Sequence, residues 1–325
     1  GKLSNRNIDE MEGGHRELRA DGKGLEDRKR DPLDFAVWKA AKSGEPSWES
    51  PWGQGRPGWH IECSAMSRKY LGMPLDIHGG GADLAFPHHE NEIAQSEAAC
   101  GCTFSNYWMH GGMLQINSEK MSKSLGNFLL LRDVLKECDA RVLRMLMMQT
   151  HYRSPLDFSK ERLDEAGASL GRLCCCIDRM DWLASHPDEN APAFVPETEG
   201  FTFEKAVKNV REAFAASMDD DFNTAGALGA IFGFVGEVNA ALGTATFGPA
   251  DVANLESVRD VIIELMGVLG IDVAPAKAEV AYPAEVVDLA REVAGFEGED
   301  AAEAVDALLE ARANARAEKN WAVAD

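Results

Sequence analysis

The sequence predicts a mixed α/β first half joined to an all-helical second half. Up to about Leu129, β-like runs such as PLDIH (74–78) and YWMHGGMLQI (107–116) alternate with helical spacing and polar loops. Beyond it, one amphipathic stretch rich in Ala, Glu, Val and Leu follows another. Charge divides similarly. Residues 1–160 hold 21 Lys+Arg against 22 Asp+Glu, whereas 161–325 hold 12 against 32. The net charge of −21 therefore belongs to the second half, most simply as a solvated helical surface. The first half keeps room for a local basic face, and the field near a site matters more than the total.

Taken in order, residues 1–31 are charged and show no convincing period, and 31–59 mix aromatics with Pro and Gly. His60 to Leu71 fits a helix, and 74–78 a short buried strand. Pro87 suits the first position of a helix running to about Ala99. Residues 107–116 read as strand, followed by the polar loop NSEKMSKS. Helices are expected at 131–137, 139–150, 159–185, 202–217, 223–242, 250–269, 284–295 and 299–318. HPDENAPAF and PETEG separate some of them.

Hydrophobic content of 45% with 27% charged residues is that of a soluble globular chain. No apolar run approaches the ~20 residues that span a bilayer. The first thirty residues are too polar for a signal peptide. Seven cysteines, three of them adjacent (Cys174, Cys175, Cys176), suit no disulfide framework and point to a reducing cytoplasm.

Chemistry concentrates in three strings. In HGGGADLAFPHHENE (78–92), His88 and Glu92 lie four apart and share a helix face. Both are acceptable zinc ligands, although a surface pair has the same spacing. His89 falls on a different face, and Ile93 breaks the HExxH pattern. Gly79, Gly80 and Gly81 fit a close-approach loop after a strand, where open α/β sheets bind ligands, without the GxGxxG spacing of a dinucleotide site. Asp83 could pair with an ammonium group or cap its own turn. In GWHIECSAM, Cys63 is a third candidate ligand or a small core residue. In KMSKSLGN (120–127), two lysines three apart on a Gly-bounded loop suit a polyphosphate that must be gripped and released. The other cysteines read as packing or partly exposed thiols, and Met145, Met147 and Met148 as core. Arg141, Arg144 and Arg153 suit RNA phosphates or helix-end ion pairs equally well.

GRPGWHIECSAM, DIHGGGADLAFPHHENEIAQS and KMSKSLGN, in this order and spacing, resemble the cysteinyl-tRNA synthetases, members of class I of the aminoacyl-tRNA synthetases. DARVLRMLMMQTHYRSPLDFS (139–159) is similar to the start of their DALR-type helical region. The resemblance implies part of a Rossmann-type class I catalytic domain followed by an all-α bundle of DALR type. It implies a remnant of a connective region at 1–50 and the second half of the catalytic domain, with its zinc site, at 51–117. The KMSKS loop and stem-contact region would occupy 118–160, and the acidic bundle 161–325, incomplete at its C-terminal end.

The implied activity is ATP-dependent activation of L-cysteine to cysteinyl-adenylate, with Mg2+, and transfer to tRNA(Cys). Cys63, His88 and Glu92 would hold one zinc ion, with a fourth protein ligand expected upstream. Trp59 and His78 would line the cysteine pocket, and Asp83 would take the α-ammonium. Lys120 and Lys123, with Met121, Ser122 and Ser124, would handle the phosphates, Lys123 foremost. His110, Gly111 and Gly112 would run beside the nucleoside. A cytoplasmic monomer without membrane attachment is expected.

One departure stands out. The family carries a HIGH-type string near its N-terminus with a zinc cysteine just before it, and these residues contain neither. The resemblance therefore implies an internal portion of a longer enzyme, inactive by itself. Two rivals share the motifs: a cysteine ligase of mycothiol biosynthesis, and a non-catalytic tRNA- or zinc-binding derivative of the scaffold.

Overall fold

The computed structural model describes residues 1–7, 34–116, 119–120 (backbone alone), 130–196, 199–243, 245–274, 282–283 and 285–317. They form two compact units, 1–273 and 274–325, each described by itself.

The first unit opens with an antiparallel pair, β1 (Trp38–Ala40) and β2 (Gly55–Pro57). Helix α1 (Ile61–Leu71) follows, then β3 (Leu75–Gly81), α2 (Glu90–Cys100) and β4 (Ser105–Gly111). β3 and β4 pair in parallel, His78 opposite Trp108 and Gly80 opposite His110, with α2 as the crossover that parallel strands require. Both strands end at glycines in register, Gly81 and Gly111. Their apolar support is the small cluster of Leu75, Ile93 and Phe104, against which Leu3, Met73 and Trp108 pack.

Two differences from the sequence reading bear on the site. The three glycines are not a loop; they are the last residues of β3. Pro87 does not start the helix either. It lies inside one wide, π-type turn over Ala85–His89, in which Phe86 is extended (φ −137°, ψ 133°), and regular helix begins at Glu90.

β5 (Leu114–Ile116) pairs antiparallel with β6 (Glu119–Lys120) and parallel with β7 (Leu156–Phe158). Between them in sequence lie α3 (Leu131–Glu137) and α4 (Ala140–Met148). The bundle then comprises α5 (Lys160–Ser185), α6 (Phe203–Asp219), α7 (Thr224–Leu242) and α8 (Val252–Val268). Side chains that hydrogen-bond backbone N–H groups fix several starts: Asp139 for α4, Ser159 for α5, Thr202 for α6 and Asn223 for α7.

The bundle core follows helical spacing. Leu170, Leu173, Ile177 and Met180 of α5 meet Ile231, Val235 and Val238 of α7 and Leu255, Val258, Ile262 and Met266 of α8. At ~1.5–3 kcal/mol for each large apolar side chain, this core is the main favourable term in the unit. α7 is consistent with the expectation about apolar runs, since Glu237 and Asn239 interrupt it, but it comes near the limit. Its 19 residues are long and apolar enough to cross a membrane by length and composition. Here they supply the centre of the bundle core, which needs the same apolarity.

Met145 is buried as expected, but Met147 is 51% exposed, because residues two apart on a helix point apart. The three arginines are used internally. Arg141 binds the Asp139 carboxylate, Arg144 donates to the Leu269 carbonyl at 2.7 Å, and Arg153 pairs with Asp221 at 2.6 Å.

The second unit's described helices are α9 (Glu285–Ala294) and α10 (Ala301–Ala317), packed through Val287, Ala290 and Ala304.

Candidate active site at the strand ends

α1, β3, α2 and β4, with the residues that lead into the helices, bring five histidines and two tryptophans around one buried carboxylate. The geometry begins with α2. Its first turn sends two glutamates in opposite directions. Glu90 points outward, where Oε1 accepts from the backbone N–H groups of Leu3 (2.8 Å) and Ser4 (2.6 Å) and from the Ser4 hydroxyl. These bonds hold the Glu90 carboxyl below its usual range against the opposing effect of burial. Glu92 points inward and is 5% exposed.

Glu92 Oε2 lies 2.8 Å from His78 Nε2, yet the alignment is not that of a hydrogen bond, and the atom has no hydrogen-bond partner. A buried carboxylate oxygen left so is costly unless a cation takes it up. His89 completes this side. One ligating atom each of His78, His89 and Glu92 lie within 4.8 Å of one another. His89 Nδ1 is 2.9 Å from His110 Nε2, so one ring donates to the other. Trp108 packs against His78, with ring centres 5.0 Å apart, and against His89 at 5.3 Å.

The opposite wall is built from the start of α1. Trp59 stacks on His60 (5.5 Å, 4° between planes), and His88 packs edge-on against both, at 4.7 and 4.9 Å. His60 adopts φ 71°, a left-handed conformation uncommon outside glycine, immediately before α1. Cys63, in the first turn of α1, is exposed, so it is not a core residue. Burial, then the neighbouring Glu92 carboxylate, push its thiol pKa up. Ser64 Oγ donates to Gln95 Oε1 at 2.8 Å and ties α1 to α2.

Burial favours the neutral form of three of the imidazoles. It lowers His60 and His110 below the ordinary histidine value and takes His89 down to about 4, with His78 and His110 adding repulsion and Glu92 opposing. Neutral imidazoles beside a carboxylate and a thiol are a donor set suited to a transition metal, zinc in particular.

Of the residues singled out in sequence, Trp59, Cys63, His78, His88, Glu92 and His110 all lie around this constellation. Asp83 sits beyond β3 in a short turn over Ala82–Leu84 and is exposed, its Oδ1 over Gly81. Gly111 ends β4. Gly112 follows it, donating to the Tyr152 carbonyl at 2.7 Å; a side chain there would meet the Ser154 carbonyl. Lys120 is described only as backbone of β6. Met121, Ser122, Lys123 and Ser124 lie outside the described residues.

His89 was missed as a member of the constellation. Its spacing of three from Glu92, as good a same-face signal as four, could have found it.

The sequence matches the family model of the class I (C) tRNA synthetase catalytic domain over residues 1–168, and that of the DALR domain over 213–274. It is similar to the cysteine–tRNA ligase of Geobacter metallireducens, 52% identical over 277 residues, covering 85% of this chain and 55% of the relative. It is 48% identical over 321 residues to that of Geobacter sp. strain M21, covering 98% and 62%. Against that of Brevibacillus brevis it is 43% identical over 325 residues, covering 100% and 62%. The chain thus spans 55–62% of the length of these three relatives. The catalytic-domain match covers the residues that build the constellation and the DALR match lies within the bundle, so the chain belongs to the class I (C) tRNA synthetase family.

Proposed function

We propose that the intact protein is a cysteine–tRNA ligase, which activates L-cysteine with ATP to cysteinyl-adenylate and esterifies it to the 3′-terminal adenosine of tRNA(Cys). The observation that supports this reading most is the unpartnered Glu92 oxygen, buried between Cys63 and the histidines at the strand ends. Cys63, His88 and Glu92 would hold a zinc ion, with a fourth ligand from elsewhere in the enzyme. A zinc ion there supplies a strong preference for a thiolate over a hydroxyl, the difference between cysteine and serine.

The chain's own residues do the rest. His78 steadies Glu92 from one side, and Trp59 closes the pocket from the other. Asp83 meets the substrate ammonium, leaving the carboxylate to attack the α-phosphorus in line. His110, Gly111 and Gly112 border the nucleoside. Lys120 and Lys123 neutralise the charge that develops on the departing pyrophosphate, with Met121, Ser122 and Ser124 shaping their loop and Mg2+ on the phosphates. No protein nucleophile is needed, because positioning and electrostatics carry the reaction. The enzyme works in the cytoplasm as a monomer.

The test measures zinc content and cysteine-dependent ATP–pyrophosphate exchange of the full-length protein. Cys63→Ser and Glu92→Gln should each lose most of the zinc and the preference for cysteine over serine. Full zinc in Cys63→Ser, together with loss in His89→Ala, would move the metal to His78, His89 and Glu92. An acyl acceptor that is an amino sugar rather than tRNA would replace the ligase reading with the mycothiol one.

A further inference from the structure

The turn that closes α2 carries two thiols that the proposed chemistry does not use. Cys100 is the last residue of the helix, Gly101 follows in the left-handed conformation (φ 67°, ψ 20°), and Cys102 leads toward β4. The Gly101 N–H donates to the Glu97 carbonyl at 2.8 Å, and the Phe104 N–H to the Glu97 carboxylate at 3.3 Å, so the turn is pinned on both sides. Both cysteines are partly exposed. Residues two apart around a left-handed turn bring their α-carbons into the range that a disulfide spans, roughly 4.4–6.8 Å. The Cys102 thiol is within hydrogen-bonding reach of Cys100. Partial burial raises its pKa, with the Cys100 neighbour adding to the shift. Arg68, from the last turn of α1, opposes that shift, and Glu97 assists it weakly. Two accessible, neighbouring thiols can pass from a mixed disulfide on one of them to an internal disulfide between both.

We infer that Cys100-Gly101-Cys102 is a reversible dithiol/disulfide site that reacts with low-molecular-weight disulfides. The Cys100 thiolate attacks one sulfur of the small disulfide and expels a thiolate. The Cys102 thiol, losing its proton, then attacks Cys100 Sγ in the mixed disulfide and expels the second thiolate. Two protein thiols and one small disulfide become one protein disulfide and two small thiols, so electrons and protons balance. The bridge would lie on the link between the helix that carries Glu92 and the strand that carries His110. It would lock that link without consuming a residue of the constellation. The inference does not depend on the ligase reading.

The test uses the intact protein, reduced, freed of reductant, incubated with oxidised glutathione and then labelled with N-ethylmaleimide before digestion. The peptide holding both residues should carry no label and no glutathione, and should be lighter than its reduced form by two hydrogens. Cys100→Ala and Cys102→Ala should each trap a single glutathione on the remaining cysteine, and dithiothreitol should restore both labels in the wild type. Two results would overturn the inference. One is full labelling of both thiols under conditions in which the exposed Cys175 carries glutathione. The other is protection already in the untreated protein that a chelator removes, which would make the pair a metal site.

Discussion

The helical bundle and the strand-end constellation solve opposite problems within one unit. The bundle buries a continuous apolar core across α4 to α8, and its one buried carboxylate among the described residues, Asp251, is fully engaged by the backbone N–H groups of Phe194 and Gly248. The constellation buries a carboxylate and imidazoles on a cluster of only three apolar residues, Leu75, Ile93 and Phe104. Apolar packing tolerates the loss of one contact, because the load is shared. A polar centre on a small base does not, because each unpaired group retains its full desolvation cost.

Truncation of Phe104 tests that contrast most severely. Phe104→Ala should cost ~3–5 kcal/mol and disturb the constellation first, whereas Leu173→Ala in the bundle should cost ~2–5 kcal/mol and leave the constellation intact. Urea unfolding of variants in which Trp182 and Trp321 are replaced by Phe, followed by tryptophan fluorescence and by far-ultraviolet circular dichroism, separates the two, since the other five of the seven tryptophans all lie in the first half. Coincident shifts by both probes would mean that the two regions melt as one, and the comparison would fail.

The closure of the bundle has a chemical readout. Burial raises Cys176 to about 11, whereas Cys175, one residue away, is exposed. Below pH 11 the Cys176 thiolate is scarce and grows tenfold with each pH unit. At pH 8 it should therefore alkylate on the order of 100-fold more slowly than an ordinary thiol, before any steric hindrance. Equal rates at the two positions would show that the bundle opens locally. A smaller effect belongs to the helix starts: Asp139→Ala should cost ~1 kcal/mol, read from the urea midpoint. Smallest of all, Lys160→Ala removes an exposed pair with Asp164 and should leave the urea midpoint unmoved, because water and salt screen such a pair.

The same contrast decides what could be read without the structure. Helical periodicity placed α3 at its residues, and α5 and α7 to within one residue, because a bundle helix must repeat its apolar face to be buried at all. The motifs singled out Cys63, His88 and Glu92, the family resemblance added His78 and His110, and these residues lie around one buried carboxylate. What stayed hidden was local geometry. The wide turn at Ala85–His89, with Phe86 extended, interrupts the regular helix that a start at Pro87 assumes. The division of labour between Glu90 and Glu92 was equally invisible, because the partners of Glu90 lie at residues 3 and 4.

The glycines at the end of β3 have a consequence for how the molecule can vary. A β-carbon on Gly80 would stand 2.9 Å from Leu84 Cδ1, 3.1 Å from His89 Cε1 and 3.2 Å from His89 Nε2, and one on Gly79 would meet the Met109 carbonyl at 2.8 Å. The space is thus already taken by the protein's own imidazole and backbone, with no margin for a methyl group. Any side chain at these two positions would have to displace a neighbour of the constellation, so the strand end can change only together with the residues packed over it.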